Sequence, residues 1–245
     1  MLRRHEALPG EFLTLMKSKD YLSVVYNEKT RPRTNYPQEL AAHLCRRFQL
    51  QNGMTLLDTG CGRGELLDAF ARAGLRVTGV DQSPVAVEQL RAFDVKLCDA
   101  GKEQFPYPDN SFDVVFSKSV IEHFYAPDHF LHESLRVLKT GGRLIVMTPD
   151  WITQMPIFYD DHTHRRPFTK DGLKDLLLIS GLNQVESDLF YQLPILWKYP
   201  WLKYLSRTIA IFYPVARKTK VKFIRWSAEL MLLATGVKPN ESNVS

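Results

Sequence analysis

A glycine-rich segment with an acid at its start contains the residues best suited to ligand binding. Residues 58–64 read DTGCGRG and follow a short apolar run at 55–57. A strand that ends in a glycine turn before a helix leaves backbone amides unpaired and lets a ligand approach them closely. The carboxylate of Asp58 suits a ligand that carries an ammonium group. Because glycines also occur in purely structural turns, this segment needs support from elsewhere in the sequence.

A second acid, Asp81, ends the next predicted strand, at residues 76–81. A carboxylate in this position can accept two hydrogen bonds from the hydroxyls of a ribose. A nucleotide-dependent oxidoreductase would also use a glycine loop and such an acid, so it is the main alternative from another enzyme class. However, the Gly-x-Gly-x-Gly spacing of residues 60–64 lacks the third glycine position of the dinucleotide fingerprint. A pyrophosphate also has no use for the negative charge of Asp58, so the pattern favours a ligand with a ribose and an ammonium group.

One candidate for acting on a second substrate is His123, which follows the fourth predicted strand. An imidazole at this position could serve as a general base. A packing role at the end of a helix is an equal alternative. No metal-ligand cluster of convincing spacing occurs beside the fourth strand, so no metal is predicted.

A second polar segment, DDHTHRR at 160–166, follows the fifth predicted strand. His164 is a further candidate base, and His162 is a candidate contact to the acceptor, that is, to the second substrate. A metal site or a solvated loop would show the same His-x-His pair, and acceptor binding is favoured over a metal. Arg165 and Arg166 either clamp an anionic group of the acceptor or are solvated.

From residue 54 onwards the hydrophobic pattern alternates between strand and helix. An earlier helix is indicated by the spacing of Leu40, Leu44 and Phe48. Such alternation predicts an α/β fold with a doubly wound, mostly parallel sheet covered on both faces. The predicted strands cover 55–58, 76–81, 95–98, 111–117, 143–147 and 185–190, and the helices between them cover 65–73, 84–92, 127–140 and 169–180.

Five ordered motifs resemble those of class I S-adenosylmethionine-dependent methyltransferases, within the branch that includes enzymes of ubiquinone and menaquinone biosynthesis. The resemblance extends from about residue 35 to residue 190, although the third predicted strand departs from the family pattern. The motifs are the glycine loop at 58–64, VDQS at 80–83, CDA at 98–100, FPYPDNSFDVV at 105–115 and LRVLKTGG at 135–142.

The resemblance implies a Rossmann-like α/β fold: a doubly wound, mostly parallel, seven-stranded sheet with N-terminal helices and a C-terminal helical cap. It divides the chain into an N-terminal segment that covers the cofactor site (1–36), the methyltransferase domain (37–190) and a basic, aromatic, helical C-terminal extension (191–245). The implied cofactor is S-adenosyl-L-methionine. Its expected contacts are Asp58, Gly60, Cys61, Gly62, Asp81, Gln82, Asp99, Ala100 and Ser117. The expected acceptor contacts are Arg33, His162, Arg165 and Arg166, with His123 and His164 as catalytic residues.

Composition predicts a reduced globular protein. Hydrophobic residues make up 44% of the chain and charged residues 24%, a balance that supports a sizeable core. The three cysteines are too few and too widely spaced for a disulfide framework or a zinc site. The sequence indicates neither a leader peptide nor a transmembrane span, so we expect a cytoplasmic location.

The net charge of +5 arises near the C-terminus. No acid occurs between Asp188 and Glu229, and basic and aromatic residues alternate in that interval. The favoured interpretation is a helical cap over the acceptor pocket. Contact with an anionic membrane surface through residues 190–226 ranks second, and is compatible with a cap at the inner face of a membrane. A platform for single-stranded nucleic acid ranks last, so no nucleic-acid partner is predicted.

These observations predict methyl transfer to a small-molecule, sugar or lipid-linked acceptor, with O-methylation as the favoured reaction. Methylation of a quinone-type ring at carbon or oxygen is the first alternative. A non-catalytic scaffold that binds the cofactor is the second, although the intact glycine loop and Asp81 argue against it.

Overall fold

The structure is a computed structural model that describes residues 32–213, 215 and 219–240. Most of the predicted N-terminal segment, residues 1–31, therefore lies outside the described residues, as do 214, 216–218 and 241–245. The short 3-10 helices Ile121–His123 and Phe158–Asp160 accompany the regular elements. In chain order the regular elements are α1 (Tyr36–Phe48), β1 (Thr55–Thr59), α2 (Glu65–Arg72), β2 (Arg76–Asp81), α3 (Pro84–Gln89), β3 (Asp94–Leu97), β4 (Phe112–Lys118), α4 (Asp128–Val137), β5 (Leu138–Pro149), α5 (Trp151–Gln154), α6 (Lys170–Ile179), β6 (Asn183–Phe190), α7 (Pro194–Lys198), α8 (Leu202–Phe212), α9 (Lys222–Ala228) and β7 (Met231–Val237).

One seven-stranded sheet organises these elements in the order β3-β2-β1-β4-β5-β7-β6. The first five strands pair in parallel, whereas β7 runs antiparallel to both β5 and β6. Parallel neighbours require crossover connections, and these place helices on the faces of the sheet. The predicted α/β fold with a mostly parallel, seven-stranded sheet is confirmed.

The central strands are buried on both faces, and alternate side chains enter two different cores. Leu57 and Val115 belong to one core, which includes Phe130 of α4. Leu56 and Phe116 belong to the other core, which includes residues of α1 and α2. Successive side chains of a strand point to opposite faces, so both must be apolar when both faces are covered. This requirement explains why the apolar residues in the middle of these strands, 56–57 in β1 and 114–116 in β4, are consecutive rather than alternating.

The structure corrects the predicted end of the methyltransferase domain at residue 190. Met231–Val237, which the sequence assigned to a helical extension, forms β7 between β5 and β6. Nearly all of its residues are buried. A short apolar run of this kind is indistinguishable by periodicity from a buried stretch of helix, which is why the strand was missed. Helices α7, α8 and α9 are consequently an excursion between two strands of the sheet.

The helices of this excursion carry the basic and aromatic stretch of the sequence. The longest of them, α8, has 11 residues, about half of the 20 or so that a bilayer requires. More generally, none of the helices in the ranges that the structure describes is both long and apolar enough to cross a membrane.

A smaller correction concerns the helix that was predicted to continue to residue 140. Helix α4 ends at Val137, because Leu138 already pairs with Phe112 as the first residue of β5. A Cβ on Gly142 would lie 2.7 Å from the carbonyl oxygen of Lys139. This close approach of two backbone segments, and not the end of a helix, accounts for the glycine.

Candidate active site

Three strands end together at the edge of the sheet where the candidate ligand-binding residues lie. Thr59 of β1 is level with Val80 of β2 and with Ser117 of β4. Asp58 and Asp81, which adjoin these positions in sequence, therefore lie at the carboxyl ends of neighbouring parallel strands. Ligands of open α/β sheets bind outside this edge.

The glycine loop is folded against the segment that follows β4. Gly60 has a φ of 69°, in the left-handed region that side chains rarely adopt. A Cβ at this residue would lie 2.5 Å from Cγ2 of Val120, so a side chain has no room. The contact places the loop next to the 3-10 helix that carries His123. The candidate cofactor loop thus contacts the residue that directly precedes the 3-10 helix of the candidate catalytic residue.

Asp81 organises the glycine loop through both of its carboxylate oxygens. The amide of Gly62 donates to Oδ2 at 2.8 Å, and the amide of Ser83 donates to Oδ1 at 2.9 Å. The amide of Cys98 donates to the carbonyl oxygen of Asp81 at 2.9 Å, which ties the CDA motif to the same edge. A carboxylate held by two amides retains lone pairs for the hydroxyls of a ribose. The geometry is compatible with the predicted ribose contact, which stays a prediction.

Asp58 is a buried acid, with only 3% of its surface exposed. Burial and the neighbouring Asp81 raise its pKa to about 8, against the attraction of Lys118. A cationic group bound beside this carboxyl would favour its ionised form. The site is therefore suited to a ligand with an ammonium group.

Ser117 offers an unsatisfied polar atom at the same edge. Its side chain is fully buried, and its Oγ has no hydrogen-bond partner among the described residues. Buried hydroxyls are normally paired. The unpaired Oγ is compatible with the predicted cofactor contact, which stays a prediction.

The other predicted cofactor residues differ in what they can offer. The side chain of Cys61 packs in a small core with Leu67, where burial raises the pKa of its thiol, so its sulfur has a packing role. Gln82 is exposed and Ala100 is buried. Asp99 accepts hydrogen bonds from groups within its own turn.

The two predicted catalytic histidines meet in the structure. The ring centroids of His123 and His164 are 5.0 Å apart. The backbone amides of Arg165 and Arg166 donate to the carbonyl oxygen of Glu122 at 2.8 and 3.0 Å. These bonds fasten the loop after α5 to the 3-10 helix after β4.

Hydrogen bonds fix the position of the proton on each imidazole. The hydroxyl of Thr163 donates to Oδ1 of Asp161 at 2.6 Å, so it can only accept from Nδ1 of His123, 3.0 Å away. Nδ1 of His164 lies 2.6 Å from the carbonyl oxygen of Phe158, which can only accept a hydrogen bond. In the neutral rings Nδ1 is therefore protonated and Nε2 keeps its lone pair. Burial lowers the pKa of His123, despite the hydrogen bond to Thr163, and so favours the neutral ring.

Glu122 completes this group and was not predicted from the sequence. It is fully buried, and burial raises its pKa to about 7. The hydroxyl of Thr148 donates to Oε2 at 3.0 Å, whereas Oε1 has no hydrogen-bond partner within the described part of the chain. One donor atom from each of Glu122, His123 and His164 lies within 4.8 Å of the others. The sequence signal was an acid directly before a candidate base, but the group was overlooked because His164 belongs to a different loop.

The predicted acceptor residues do not all converge. Arg165 lies with its guanidinium carbon 5.5 Å from the ring of Tyr125, whereas Arg166 faces a different aromatic ring. The two guanidinium groups therefore have different aromatic neighbours, and the predicted clamp stays a prediction. His162 and Arg33 are both exposed.

Comparison with known proteins identifies the class of this site. The methyltransferase domain family matches residues 57–146. A probable S-adenosylmethionine-dependent methyltransferase from Mycobacterium tuberculosis is 35% identical over 137 residues, which are 53% of this chain and 49% of that protein. A ubiquinone biosynthesis O-methyltransferase from a Ruegeria species is 32% identical over 169 residues, which are 60% of this chain and 67% of that protein. A solved structure of an S-adenosylmethionine-dependent methyltransferase from Archaeoglobus fulgidus has a TM-score of 0.62 and 21% identity, over 89% of this chain and 100% of its own.

The chain belongs to the class I S-adenosylmethionine-dependent methyltransferases. It is an enzyme of that class, and S-adenosylmethionine is its cofactor. The buried Asp58 carboxyl and the unpartnered Ser117 hydroxyl fit a ligand that brings an ammonium group and further polar atoms to this edge. The chain spans about half the length of the mycobacterial relative, so the acceptor of the whole protein is a matter for proposal.

Replacing Asp81 by alanine should weaken the binding of S-adenosylhomocysteine by roughly 1–3 kcal/mol, or about 5- to 150-fold. The variant loses the carboxylate for the ribose and the acceptor of the Gly62 and Ser83 amides. Titration calorimetry measures the change, with Asp94→Ala, an exposed acid on β3, as the control. An unchanged affinity would remove Asp81 from the site.

Replacing Asp58 by asparagine should stabilise the free protein and weaken cofactor binding. A carboxyl whose pKa rises from 3.8 to about 8 on folding destabilises the folded state progressively as the pH rises between these values. The gain in melting temperature should therefore be small near pH 4 and largest at pH 8, by roughly 2–4 °C for each kcal/mol relieved. Thermal melts across this range measure it, with Asp175→Asn, an exposed acid on α6, as the control. A gain that does not grow with pH would contradict the burial argument.

Proposed function

We propose that this enzyme transfers the methyl group of S-adenosylmethionine to a hydroxyl oxygen of a small-molecule, sugar or lipid-linked acceptor. The observation that carries the proposal is the pair of imidazoles next to the glycine loop. His123 and His164 lie 5.0 Å apart between ring centroids, and both direct their Nδ1–H to protein acceptors. The Nε2 lone pair of each ring is left for the hydroxyl group of the substrate that receives the methyl group.

The chemistry of the cofactor explains why an oxygen acceptor suits this arrangement. The sulfonium is electrophilic by itself, so the chain has to align the acceptor with the methyl group and exclude water. A hydroxyl remains a poor nucleophile until its proton is removed or its pKa is lowered. The lone pairs of His123 and His164 supply this activation.

A quinone-type ring is the second candidate acceptor. The name of the Ruegeria relative, a ubiquinone biosynthesis O-methyltransferase, favours it. A phenolic oxygen on such a ring would need the same activation by the imidazole pair. Methylation at a ring carbon would leave a different product, which product analysis distinguishes.

We further propose that the acceptor is reached at a membrane surface through α8. Trp201, Tyr204 and Phe212 expose 65%, 75% and 65% of their surface. Lys203 and Arg207 are exposed on the same helix. Exposed aromatic residues interleaved with cations suit an interface with anionic lipid. Sedimentation with vesicles should show binding to mixed phosphatidylserine and phosphatidylcholine but little to phosphatidylcholine alone; equal or no binding to both would leave α8 as part of a cap.

The donor half of the proposed function is tested by titrating the protein with S-adenosylhomocysteine and, in parallel, with NADH. We expect micromolar affinity for the first and no binding of the second. Binding of NADH alone would overturn the assignment.

The acceptor half is tested with methyl-tritiated S-adenosylmethionine and a panel that contains a catechol, a sugar, a polyprenylated phenol and a primary amine. Label in an O-methyl product supports the proposal. Label only in the amine or on carbon overturns O-methylation. Tight cofactor binding without transfer to any member favours the scaffold alternative.

A further inference from the structure

We propose that Glu122, His123 and His164 bind a divalent transition-metal ion of the zinc class. One carboxylate and two imidazoles supply one oxygen and two nitrogen donors, and these atoms lie within 4.8 Å of one another. Binding of the ion does not depend on the proposed function, whereas its catalytic consequence does rest on it.

The first observation behind the proposal is the carboxylate of Glu122. The side chain is fully buried, and its Oε1 has no hydrogen-bond partner among the residues that the structure describes. The hydroxyl of Thr148 holds the other oxygen at 3.0 Å and so fixes the orientation of the carboxylate. A buried polar atom without a partner is costly and needs a reason. A cation beside Oε1 supplies one.

The second observation is the orientation of the two imidazoles. Histidines that bind metals almost always donate the proton of their other nitrogen to a carboxylate, a carbonyl or water. Nδ1 of His164 donates to the carbonyl oxygen of Phe158 at 2.6 Å. Nδ1 of His123 donates to the hydroxyl of Thr163, which itself donates to Asp161. Both rings therefore have the hydrogen bonds expected around a metal, and because these engage Nδ1, we assign Nε2 of each ring as the ligand atom.

The donor set indicates the class of ion. Two imidazoles and one carboxylate suit Zn²⁺, Co²⁺ or Fe²⁺, whereas Mg²⁺ and Ca²⁺ prefer oxygen donors alone. Two ligand atoms that each lie about 2.0–2.1 Å from a tetrahedral zinc ion are roughly 3.3 Å apart. The three donor atoms lie within 4.8 Å of one another, so each must move towards the ion by up to about 1 Å. His123 and His164 are only partly buried, and the proposal requires small shifts of both imidazoles that keep their Nδ1 hydrogen bonds. Three protein ligands also leave a coordination position open, as in catalytic zinc sites.

When the ion occupies the Nε2 lone pairs, the ion and not the free imidazoles activates the proposed hydroxyl acceptor, through the open coordination position. The hydroxyl oxygen coordinates the ion, which lowers its pKa, and the proton leaves to water. The resulting alkoxide or phenolate attacks the methyl carbon, and the bond between that carbon and the sulfonium breaks. The electron pair of this bond stays on sulfur, which gives S-adenosylhomocysteine and the methyl ether. The ion keeps its oxidation state throughout.

Titration of chelator-treated protein with ZnCl₂, CoCl₂ and MgCl₂ tests metal binding without any acceptor. We expect one saturable site for Zn²⁺ and Co²⁺, a visible absorption band of bound Co²⁺, and much weaker binding of Mg²⁺. The absence of a saturable site for Zn²⁺ and Co²⁺ overturns the proposal.

Variants locate the site within the chain. Glu122→Gln and His164→Ala should each weaken Zn²⁺ binding by at least about 10- to 100-fold, the loss that follows removal of a supporting group alone. His162→Ala is the matched control, because His162 belongs to the same loop but is exposed. If all three variants bind Zn²⁺ equally well, the ion is adventitious and binds elsewhere on the protein, which overturns the proposed site. His164→Ala keeps the test decisive if Glu122→Gln fails to fold, and S-adenosylhomocysteine affinity reports folding and the donor site independently.

Methyl transfer then separates this proposal from the proposed function. Transfer to hydroxyl acceptors that persists in chelator and in the absence of metal overturns the catalytic consequence and leaves the proposed function standing. Zinc binding without transfer to any hydroxyl acceptor overturns the proposed function and leaves the metal site standing.

Discussion

Replacing Glu133 by alanine should lower the free energy of unfolding by roughly 3–5 kcal/mol, because it removes one partner of a buried ion pair. The guanidinium of Arg136 donates to the Glu133 carboxylate at 2.7 Å, and the amide of Phe105 donates to it at 2.8 Å. Arg136 also donates to the carbonyl oxygens of Phe105 and Tyr107. Glu133 therefore holds the FPYPDNSFDVV motif onto α4. Without it the buried amide of Phe105 loses its acceptor, and the Arg136 guanidinium loses its buried carboxylate partner and keeps only the exposed Asp109 and the two carbonyl oxygens.

The pH dependence of this effect follows from the pKa of Glu133. Burial opposes ionisation, but hydrogen bonds from Arg136 and Phe105 outweigh it and leave the pKa below its usual value. A lowered pKa contributes stability above the pKa of the unfolded chain, and this contribution is lost as the pH falls through the folded value. The difference between wild type and variant should therefore be full at neutral pH and shrink below about pH 4.

Chemical denaturation at pH 7 measures the change, and a second ion pair of the chain provides the control. Glu88 and Arg91 are also three residues apart and 2.9 Å from each other, but both are exposed. Exposed pairs contribute little, so Glu88→Ala should leave stability nearly unchanged. Equal losses in the two variants would show that burial of the Glu133 pair has no special weight.

Replacing His123 by alanine should reduce kcat by about 10²- to 10⁴-fold while leaving the affinity for S-adenosylhomocysteine nearly intact. The ring lies beside the acceptor position in the proposed function, whereas the predicted cofactor contacts come from the ends of β1, β2 and β4. Single-turnover methyl transfer to the acceptor found in the panel measures the rate, and calorimetry measures the affinity. His132→Ala, which removes an exposed ring on α4, is the control. Wild-type turnover in His123→Ala would end its candidacy as a catalytic residue.

The features that could be predicted from the sequence are those encoded in contiguous stretches. The glycine loop, the acid at the end of β2 and the apolar runs of β1 and β4 each lie within a few residues, and their order defines a parallel sheet. The placement of Asp81 at the same edge as Asp58 followed from the rule that parallel strands end together.

The features that could not be predicted depend on contacts between distant segments. Glu122 and His164 meet because the amides of Arg165 and Arg166 bind the Glu122 carbonyl, and no local pattern encodes that contact. The membership of Met231–Val237 in the sheet depends on pairing with β5 and β6, which local hydrophobicity does not specify. The buried acid and the strand that were not predicted thus have the same origin.

The position of β7 also determines the order in which the sheet can be completed. Strands β1 to β5 find their neighbours among segments that precede them or follow closely, but β6 is separated from β5 by a strand that comes last in the chain. Until residues 231–237 are in place, β5 presents an open edge and β6 has no partner. During synthesis, closure of this half of the sheet must therefore wait for the final strand, which makes it a late and long-range folding step. Chains cut short before residue 231 would retain the cofactor strands but expose a strand edge prone to association.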